Sequence, residues 1–239
     1  VLSDNRAYTL KGKPYAPNQQ FYHQQRPIKT DELPHHTHFF HACVLCNDAE
    51  LQFKDGEWSL IGEPTEGALL TLAKSAGVDD GVLLEKTKRV HEVPFDPSKK
   101  YMITVHEHHG TSKKLTVSMK GAGERVLERC QFVRDAQGKK TKITPKQRQQ
   151  FQKQIEHFTS EGQRVLAVAS KEVQDTKEYR KHLEDHLHHE YTLEGIVGIE
   201  DPIRDDAATA VEECRSAGIR PVMITGDHRG TAAAIGERL

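Results

Sequence analysis

The stretch that decides the fold runs from residue 101 to residue 124 and reads YMITVHEHHGTSKKLTVSMKGAGE. Apolar residues occupy every second position on both sides of a turn at Gly110: Tyr101, Ile103 and Val105 before it, and Leu115, Val117 and Met119 after it. An alternation of period two is typical of strands with one buried face. The stretch therefore predicts two neighbouring strands, followed by a helix that begins near Gly123.

The segments on either side extend this pattern into an α+β domain. Asp55-Gly56 lies between two apolar runs and predicts a hairpin, whereas the prolines of residues 1–36 predict irregular structure there. Periodicity and capping signals predict further helices at 37–47, 63–76, 123–130 and 145–161, with strands at 131–134 and 165–170. We therefore expect an antiparallel sheet flanked by helices, in a first domain that covers residues 1–200.

In the last 45 residues or so, patterns typical of strands alternate with patterns typical of helices. Apolar runs at 193–200 and 219–225 are each followed by a helical pattern, at 204–217 and from 231 onward. This order is typical of a parallel, doubly wound sheet, but two strands leave such a sheet incomplete. We therefore predict that residues 201–239 are part of a second, α/β domain. Val1 in place of an initiator methionine favours a piece of a longer chain.

Composition excludes several classes of protein. Lys+Arg total 34 and Asp+Glu total 35, so the charge balance does not favour a nucleic-acid partner. No apolar run approaches the roughly 20 residues that span a bilayer. Four cysteines in 239 residues are too few for a disulfide framework. These features predict a domain on the cytosolic side of a membrane.

Two motifs near the end of the chain suggest phosphate chemistry. Thr225, Gly226 and Asp227 follow an apolar run, so a hydroxyl, two backbone amides and a carboxylate would meet a phosphoryl group where a helix begins. Asp201-Pro-Ile-Arg204 joins a strand to a helix and is compatible with a hinge between domains. An ordinary strand-to-helix turn and an ordinary helix start explain these two patterns equally well.

Two earlier motifs suggest nucleotide chemistry. Lys120 ends a strand and is followed by glycine, an arrangement suited to a phosphate group. Phe95 precedes Lys99 and Lys100, which would offer a ring to a base and charges to phosphates. A solvated lysine and a core phenylalanine are the alternative interpretations of each motif alone.

Taken in order, six segments resemble the serial motifs of P-type cation-transporting ATPases, and bacterial calcium-type pumps in particular. The resemblance covers residues 40–239. The segments are Gly62-Glu-Pro-Thr-Glu-Gly-Ala-Leu69, Val93-Pro-Phe95 with Lys99-Lys-Tyr-Met102, Met119-Lys-Gly-Ala-Gly-Glu124 with Leu127-Glu-Arg-Cys130, Gly162-Gln-Arg-Val-Leu-Ala-Val-Ala169, Asp201-Pro-Ile-Arg204 and Met223-Ile-Thr-Gly-Asp-His228.

The resemblance implies a nucleotide-binding domain and part of a phosphorylation domain of the haloacid-dehalogenase (HAD-like) type. ATP would be the ligand, with Mg²⁺ accompanying it in the parent pump. The implied nucleotide-site residues are Glu66 near the base, Phe95 against the adenine, Lys100 and Lys120 near the phosphate chain, Arg164 toward the phosphates or ribose, and Asp201 at the hinge. Thr225, Gly226 and Asp227 would assist phosphoryl transfer. The implied partners are the remaining phosphorylation, actuator and transmembrane domains, at the cytoplasmic face of a membrane.

The sequence also departs from the family pattern. The Asp-Lys-Thr-Gly-Thr motif, whose aspartate is phosphorylated, does not occur in these 239 residues, and neither does the later Gly-Asp-Gly motif. Gly123 and Ile203 stand where the family commonly has proline. We therefore expect this chain to bind ATP without turning it over through an aspartyl-phosphate.

Three alternatives remain at this stage. The 15 histidines, including His182, His186 and His189 at helical spacing, and the single Cys43-x-x-Cys46 pair raise the possibility of a metal site. A solvated helix and buried cysteines are the favoured interpretations. A non-catalytic interaction domain, or a free-standing HAD-type phosphatase, would account for the same fold without ATP-driven transport.

Overall fold

The computed structural model describes residues 6–33, 37–110, 113–134, 138–200, 206–224, 229–237 and 239. The strands are β1 (Thr9–Lys11), β2 (Gln20–His23), β3 (Arg26–Ile28), β4 (Glu50–Lys54), β5 (Glu57–Ile61), β6 (Thr87–Asp96), β7 (Tyr101–His108), β8 (Lys114–Ala122), β9 (Cys130–Arg134), β10 (Lys140–Lys142), β11 (Arg164–Gln174) and β12 (Tyr191–Ile199). The helices are α1 (Thr37–Leu45), α2 (Pro64–Ser75), α3 (Asp80–Lys86), α4 (Gly123–Arg129), α5 (Pro145–Ser160), α6 (Lys177–Lys181), α7 (Leu183–His186), α8 (Ala207–Ser216) and α9 (Arg229–Gly236).

A seven-stranded sheet in the order β10-β9-β12-β11-β8-β7-β6 forms the centre of the domain. The predicted pair β7–β8 is confirmed, with Ile103 opposite Met119 and Val105 opposite Val117. Neighbouring strands run antiparallel except β12 and β9, which run parallel. The sheet is therefore mixed rather than purely antiparallel, because the connection from β11 through α6 and α7 returns the chain as β12 beside β9.

Helices cover both faces of this sheet, and each face has its own apolar core. On the first face, α4 and α5 pack with Phe151 and Ile155 against strand residues such as Val117. On the second face, α1 and α2 pack with residues such as Phe40 and Leu69. Period-two alternation along β7 and β8 sends most of their apolar residues to the first face and most of their polar residues to the second.

The amino-terminal segment differs from the prediction of irregular structure. Residues 9–28 contain a three-stranded antiparallel sheet, β1-β2-β3. Phe21 and Ile28 from this sheet are buried with α1 and α2. Pro27 lies inside the edge strand β3, a position that tolerates proline because an edge strand has one unpaired side. The prolines therefore limit the lengths of these strands without preventing a sheet.

The strands and helices predicted for the end of the chain are present only in part among the described residues. The run at 193–200 does form a strand, β12, but it lies inside the seven-stranded sheet, between β9 and β11. Residues 219–224 form no strand, and Ile219, Val222 and Ile224 are exposed. The helical patterns are confirmed as α8 and α9. An apolar run becomes a strand only where partner strands are available to pair with it, and β12 has two such partners.

His106, on the second face of β7, is a buried polar residue without a hydrogen bond. It is 1% exposed, and neither ring nitrogen has a hydrogen-bond partner in the described part of the chain. Burial, followed by the charges of Arg89 and His108, lowers the pKa of His106 from 6.5 to about 4. The folded protein therefore keeps the His106 ring neutral at pH values at which an imidazole exposed to water is protonated.

We expect His106→Leu to change how stability depends on pH. A lowered folded-state pKa contributes stability above pH 6.5 that is lost as the pH falls toward 4, by about 1.4 kcal/mol per pH unit for one group. The leucine variant has no titratable group at this position, so its free energy of unfolding should rise relative to the parent as the pH falls from 7 to 5. Urea unfolding of both proteins measures the difference, and a difference independent of pH would contradict the assignment.

Among the described residues, we find no helix with the length and apolar character needed to cross a lipid bilayer.

Candidate functional site

Lys120 lies at the centre of the site, on β8, which has a neighbouring strand on each side. It is opposite Met102 of β7 on one side and Val168 of β11 on the other. Its position in the alternation sends its side chain to the second face, toward α1 and α2. The residue is only 7% exposed. A lysine this buried needs an anionic partner, because burial of an unpaired ammonium is costly.

Glu66, in the first turn of α2, is that partner. One oxygen of its carboxylate forms an ion pair with the Lys120 ammonium. The other oxygen accepts a hydrogen bond of 3.3 Å from the backbone N–H of Asp48. Pro64 begins α2, and a carboxylate in the first helical turn is favoured by the helix dipole. Sequence positions 54 residues apart are thus joined by one charge-assisted contact.

Gly121 allows the turn between β6 and β7 to lie directly against β8. A Cβ atom at Gly121 would lie 2.4 Å from the carbonyl oxygen of Lys100 and 2.6 Å from the Cα of Tyr101. The Lys100 carbonyl accepts a hydrogen bond of 2.9 Å from Ala122 N–H. Lys100 itself has a φ of 61°, in the left-handed region. The glycine therefore fixes the backbone of Lys100 next to the strand that carries Lys120.

Phe95 is at the end of β6 and points into solvent. Its side chain is 59% exposed, so it is not the core residue of the alternative interpretation. The turn that follows is ordered by Asp96, which accepts hydrogen bonds of 2.7 Å from both the N–H and the hydroxyl of Ser98. Those hydrogen bonds lower the pKa of Asp96. An exposed aromatic ring beside an ordered, lysine-bearing turn is an arrangement suited to a planar ligand.

Arg164 begins β11 and reaches across to α2. Its Nη1 donates a hydrogen bond of 2.8 Å to the hydroxyl of Thr65. Thr65 precedes Glu66, so the start of α2 contacts both β8 and β11. The guanidinium is otherwise exposed.

A single row of residues across the sheet explains why these groups lie together. Asp96 is opposite Tyr101, Tyr101 is opposite Gly121, and Gly121 is opposite Ala167. The end of β6, the β6–β7 turn, Lys120 and the start of β11 therefore share one end of the sheet. We call this end the Lys120 rim, which comprises Glu66, Phe95, Lys100, Lys120 and Arg164.

The remaining residues predicted for the site lie outside the described part of the chain. They are Asp201, Thr225, Gly226 and Asp227.

Sequence reasoning missed the group that holds Glu66 in place. Arg89 donates hydrogen bonds to the Asn47 carbonyl, at 2.7 Å, and to the Asp48 carboxylate, at 2.5 Å. The Asn47 side chain donates a 3.0 Å hydrogen bond to the Glu66 carbonyl and accepts one from Ala49. The consecutive Asn and Asp after an apolar helix are a turn signal that would have found this loop.

The cysteines and histidines do not form a metal centre in the described part of the chain. Cys43 and Cys46 are fully buried, as the core-packing interpretation predicted, and burial raises the pKa of both thiols. The described residues contain no group of three or more His, Cys, Asp or Glu residues arranged to hold a metal ion.

The Lys120 rim is an open surface and not a deep cavity. A cavity of about 450 Å³ lies between α1 and α3, and one of about 300 Å³ lies beside α4. No rim residue lines either cavity. The rim combines three cations and a carboxylate with an exposed aromatic ring, whereas the first cavity is lined by Lys86, Asp79 and the buried ring of Phe40.

Comparisons with known proteins identify the family of this chain. The family model described as P-type ATPase, cytoplasmic domain N, matches residues 35–206. The chain is 34% identical to the cation-transporting ATPase pma1 of Synechocystis sp., an alignment that covers 100% of the chain and 26% of that protein. It is 30% identical to the calcium-transporting ATPase of Bacillus subtilis, with coverage of 100% and 26%.

A third relative is the probable cation-transporting ATPase F of Mycobacterium bovis, which is 38% identical over 81% of the chain and 21% of its own length. The chain thus spans about a quarter of the length of these relatives. With most of the chain matched by the family model, and two relatives aligned along its whole length, this protein belongs to the P-type ATPase family and contains its cytoplasmic domain N.

Proposed function

We propose that this chain binds ATP at the Lys120 rim, as the nucleotide-binding domain of a pump that couples ATP hydrolysis to cation transport. The observation that carries the proposal is the row across the sheet that gathers Phe95, Lys100, Lys120 and Arg164 at one end. Relatives named as cation-transporting and calcium-transporting ATPases support the same assignment.

The groups at the rim suit the two ends of ATP. The exposed Phe95 ring offers a face for adenine, and an aromatic stack of this kind contributes about 1 kcal/mol beyond area burial. Glu66 accepts hydrogen bonds, so it suits the amino group of the base. Lys100, Lys120 and Arg164 are cations that suit phosphate oxygens or the ribose.

The Lys120–Glu66 pair gives the site a defined ligand-free state. The ammonium and carboxylate satisfy each other while Asp48 N–H holds the second carboxylate oxygen. On binding, ATP would replace part of this pairing, with phosphate oxygens approaching Lys120 and the base approaching Glu66. The nucleotide therefore competes with an internal ion pair, which favours weak rather than tight binding. We expect a Kd of ~10⁻⁵ to 10⁻³ M.

Mg²⁺ enters this proposal only with the nucleotide. The described residues provide no set of three or more carboxylate, imidazole or thiolate ligands for an ion. Mg²⁺ commonly keeps several water ligands and binds through substrate phosphates. We therefore assign no described residue of this chain to Mg²⁺.

We assign two domains to this chain and expect that this chain alone does not turn over ATP. We assign residues 1–200 to the nucleotide-binding domain and 201–239 to part of a HAD-like phosphorylation domain, where Thr225, Gly226 and Asp227 would assist phosphoryl transfer and Asp201 would lie at the hinge. The exposed apolar residues Ile219, Val222 and Ile224 support this assignment, because they suit pairing with further strands of the parent. The phosphorylation, actuator and transmembrane domains would be its partners, at the cytoplasmic face of a membrane.

Phe95→Ala tests the proposal with little risk to the fold, since the ring is exposed. We expect ATP affinity to fall about fivefold to twentyfold from loss of the stack and its buried area. Isothermal titration calorimetry of the parent chain and of the variant with ATP measures the change. Phe53→Ala is the matched control, because Phe53 is 60% exposed on the hairpin β4–β5 and should leave affinity unchanged.

Equal affinities in all three proteins would remove Phe95 from the site. If the parent chain itself shows no heat of binding at millimolar ATP, the better account is a domain that keeps the fold and acts only through protein contacts.

A further inference from the structure

A second cationic site lies on the opposite face of the sheet from Lys120. A cavity of about 300 Å³, which we call the Arg129 pocket, is lined by Lys99, Tyr101, Glu128, Arg129, His188 and His189. Tyr101 belongs to the core packed by α4 and α5, whereas Lys120 faces α2. The pocket is therefore separate from the nucleotide rim, although Lys99 precedes Lys100 in the same turn.

Arg129, at the end of α4, carries a hydrogen-bonding group that lacks an acceptor within the described part of the chain. Its guanidinium lies 4.3 Å from the centre of the Tyr101 ring, and its Nη1 donates a 2.7 Å hydrogen bond to the Arg125 carbonyl. Its Nε is buried and has no hydrogen-bond partner among the described residues. A buried N–H without an acceptor is unfavourable, so the described part of the chain leaves the guanidinium incompletely satisfied.

Negative charge in the pocket is scarce. Among the described residues that line the pocket, Glu128 carries the only carboxylate. Its Oε2 lies 3.6 Å from Nη1 of Arg129 and 3.7 Å from Nη1 of Arg125. One carboxylate is thus shared between two guanidinium groups at long distances. The exposed ammonium of Lys99 adds a further positive charge at the mouth.

The two imidazoles complete a set of donors around the cavity. A hydrogen bond of 3.1 Å joins the Tyr101 hydroxyl to His188 Nδ1, and the His189 ring lies 6.5 Å from that of His188. Burial, then the charges of Lys99 and Arg129, lower the pKa of His188, against a smaller opposing effect of Glu184. A bound anion would offset those two cations and favour the protonated ring.

We propose that the Arg129 pocket binds a phosphate-type oxyanion. The fork of an arginine matches the oxygens of phosphate in a bidentate arrangement, and Lys99 and the imidazoles surround the same space. The ligand is either free phosphate or a phosphoryl group carried on a small organic molecule. The site is distinct from the proposed ATP site and does not depend on Phe95 or Lys120.

The test is a titration with inorganic phosphate at pH 7, followed by NMR of the backbone amides and of the histidine ring protons. Potassium chloride at equal ionic strength is the reference. We expect saturable shifts at Lys99, Arg129 and the His188 ring, with a Kd of about 1 mM or tighter. Repeating the titration with O-phosphoserine separates the sources, since tighter binding than phosphate assigns a carried phosphoryl group and equal or weaker binding assigns the free ion.

Variants make the result specific to this pocket. Lys99→Gln should weaken phosphate binding about threefold to tenfold by removing one charge at the mouth. Lys88→Gln is the control, because Lys88 is an exposed lysine near the start of β6, opposite Glu107 and away from the turn that carries Lys99. Phe95→Ala should leave phosphate binding unchanged, so the outcome is independent of the ATP proposal. The assignment would be overturned if phosphate causes no saturable shift beyond that caused by chloride. It would also be overturned if Lys99→Gln and Arg129→Gln both bind phosphate as tightly as the parent chain.

Discussion

Arg134→Ala is expected to lower the free energy of unfolding by about 3–5 kcal/mol, because it leaves a buried carboxylate without its counter-ion. Glu194 of β12 is completely buried, and the Nε of Arg134 lies 2.9 Å and 3.2 Å from its two oxygens. The Ser170 hydroxyl donates a further 2.7 Å hydrogen bond to Glu194. The Arg134–Glu194 ion pair links β9 to β12, which among the described strands are the only two neighbours of this sheet that run parallel. Urea unfolding followed by circular dichroism measures the loss.

Two further variants separate this buried pair from an ordinary surface pair. Replacing both partners, Arg134→Met with Glu194→Leu, should recover much of the loss, since no buried charge is then unpaired. Arg125→Ala removes an exposed pair with Glu128 at 3.7 Å and should change stability by less than about 1 kcal/mol. If Arg134→Ala is as mild as Arg125→Ala, Glu194 is not held as an ion by Arg134.

Lys120→Ala is expected to weaken ATP binding about tenfold to a hundredfold, the effect of losing one charge-assisted contact with a phosphate oxygen. The same change leaves Glu66, whose side chain is only 15% exposed, without its ion-pair partner. We therefore also expect a loss of about 1–3 kcal/mol in stability. Calorimetric titration with ATP and urea unfolding of the same variant measure the two effects.

The two effects of Lys120→Ala are separated by a second change. Adding Glu66→Gln removes the unpaired charge, so the double variant should regain stability while ATP affinity stays low. An affinity in Lys120→Ala equal to that of the parent would show that Lys120 serves only the internal ion pair with Glu66.

The parts of the fold that depend on local pattern were predictable. The alternation along β7 and β8 gave both strands, and Asp55-Gly56 gave the hairpin β4–β5. The single row that brings Phe95, Lys100 and Lys120 together depends on strand register, which no local pattern contains. The resemblance to the family named these residues together, but their contacts came from the structure.

Contacts between distant segments were not predictable from local sequence. The Lys120–Glu66 pair joins positions 54 residues apart, and Arg89 contacts Asp48 from 41 residues away. Such pairs depend on how α1 and α2 pack on the sheet. The apolar runs at 193–200 and 219–225 had the same appearance in sequence, yet one is a strand, whereas the described part of the other, 219–224, is exposed coil. Their difference is the presence of partner strands.

The most direct test of the central claim is a titration of the chain with ATP, followed through the backbone amide shifts by NMR. We predict saturable shifts that cluster at the Lys120 rim, around Glu66, Phe95, Lys100, Lys120 and Arg164, with a Kd of ~10⁻⁵ to 10⁻³ M. No shift at these residues at millimolar ATP would contradict a nucleotide site at this end of the sheet.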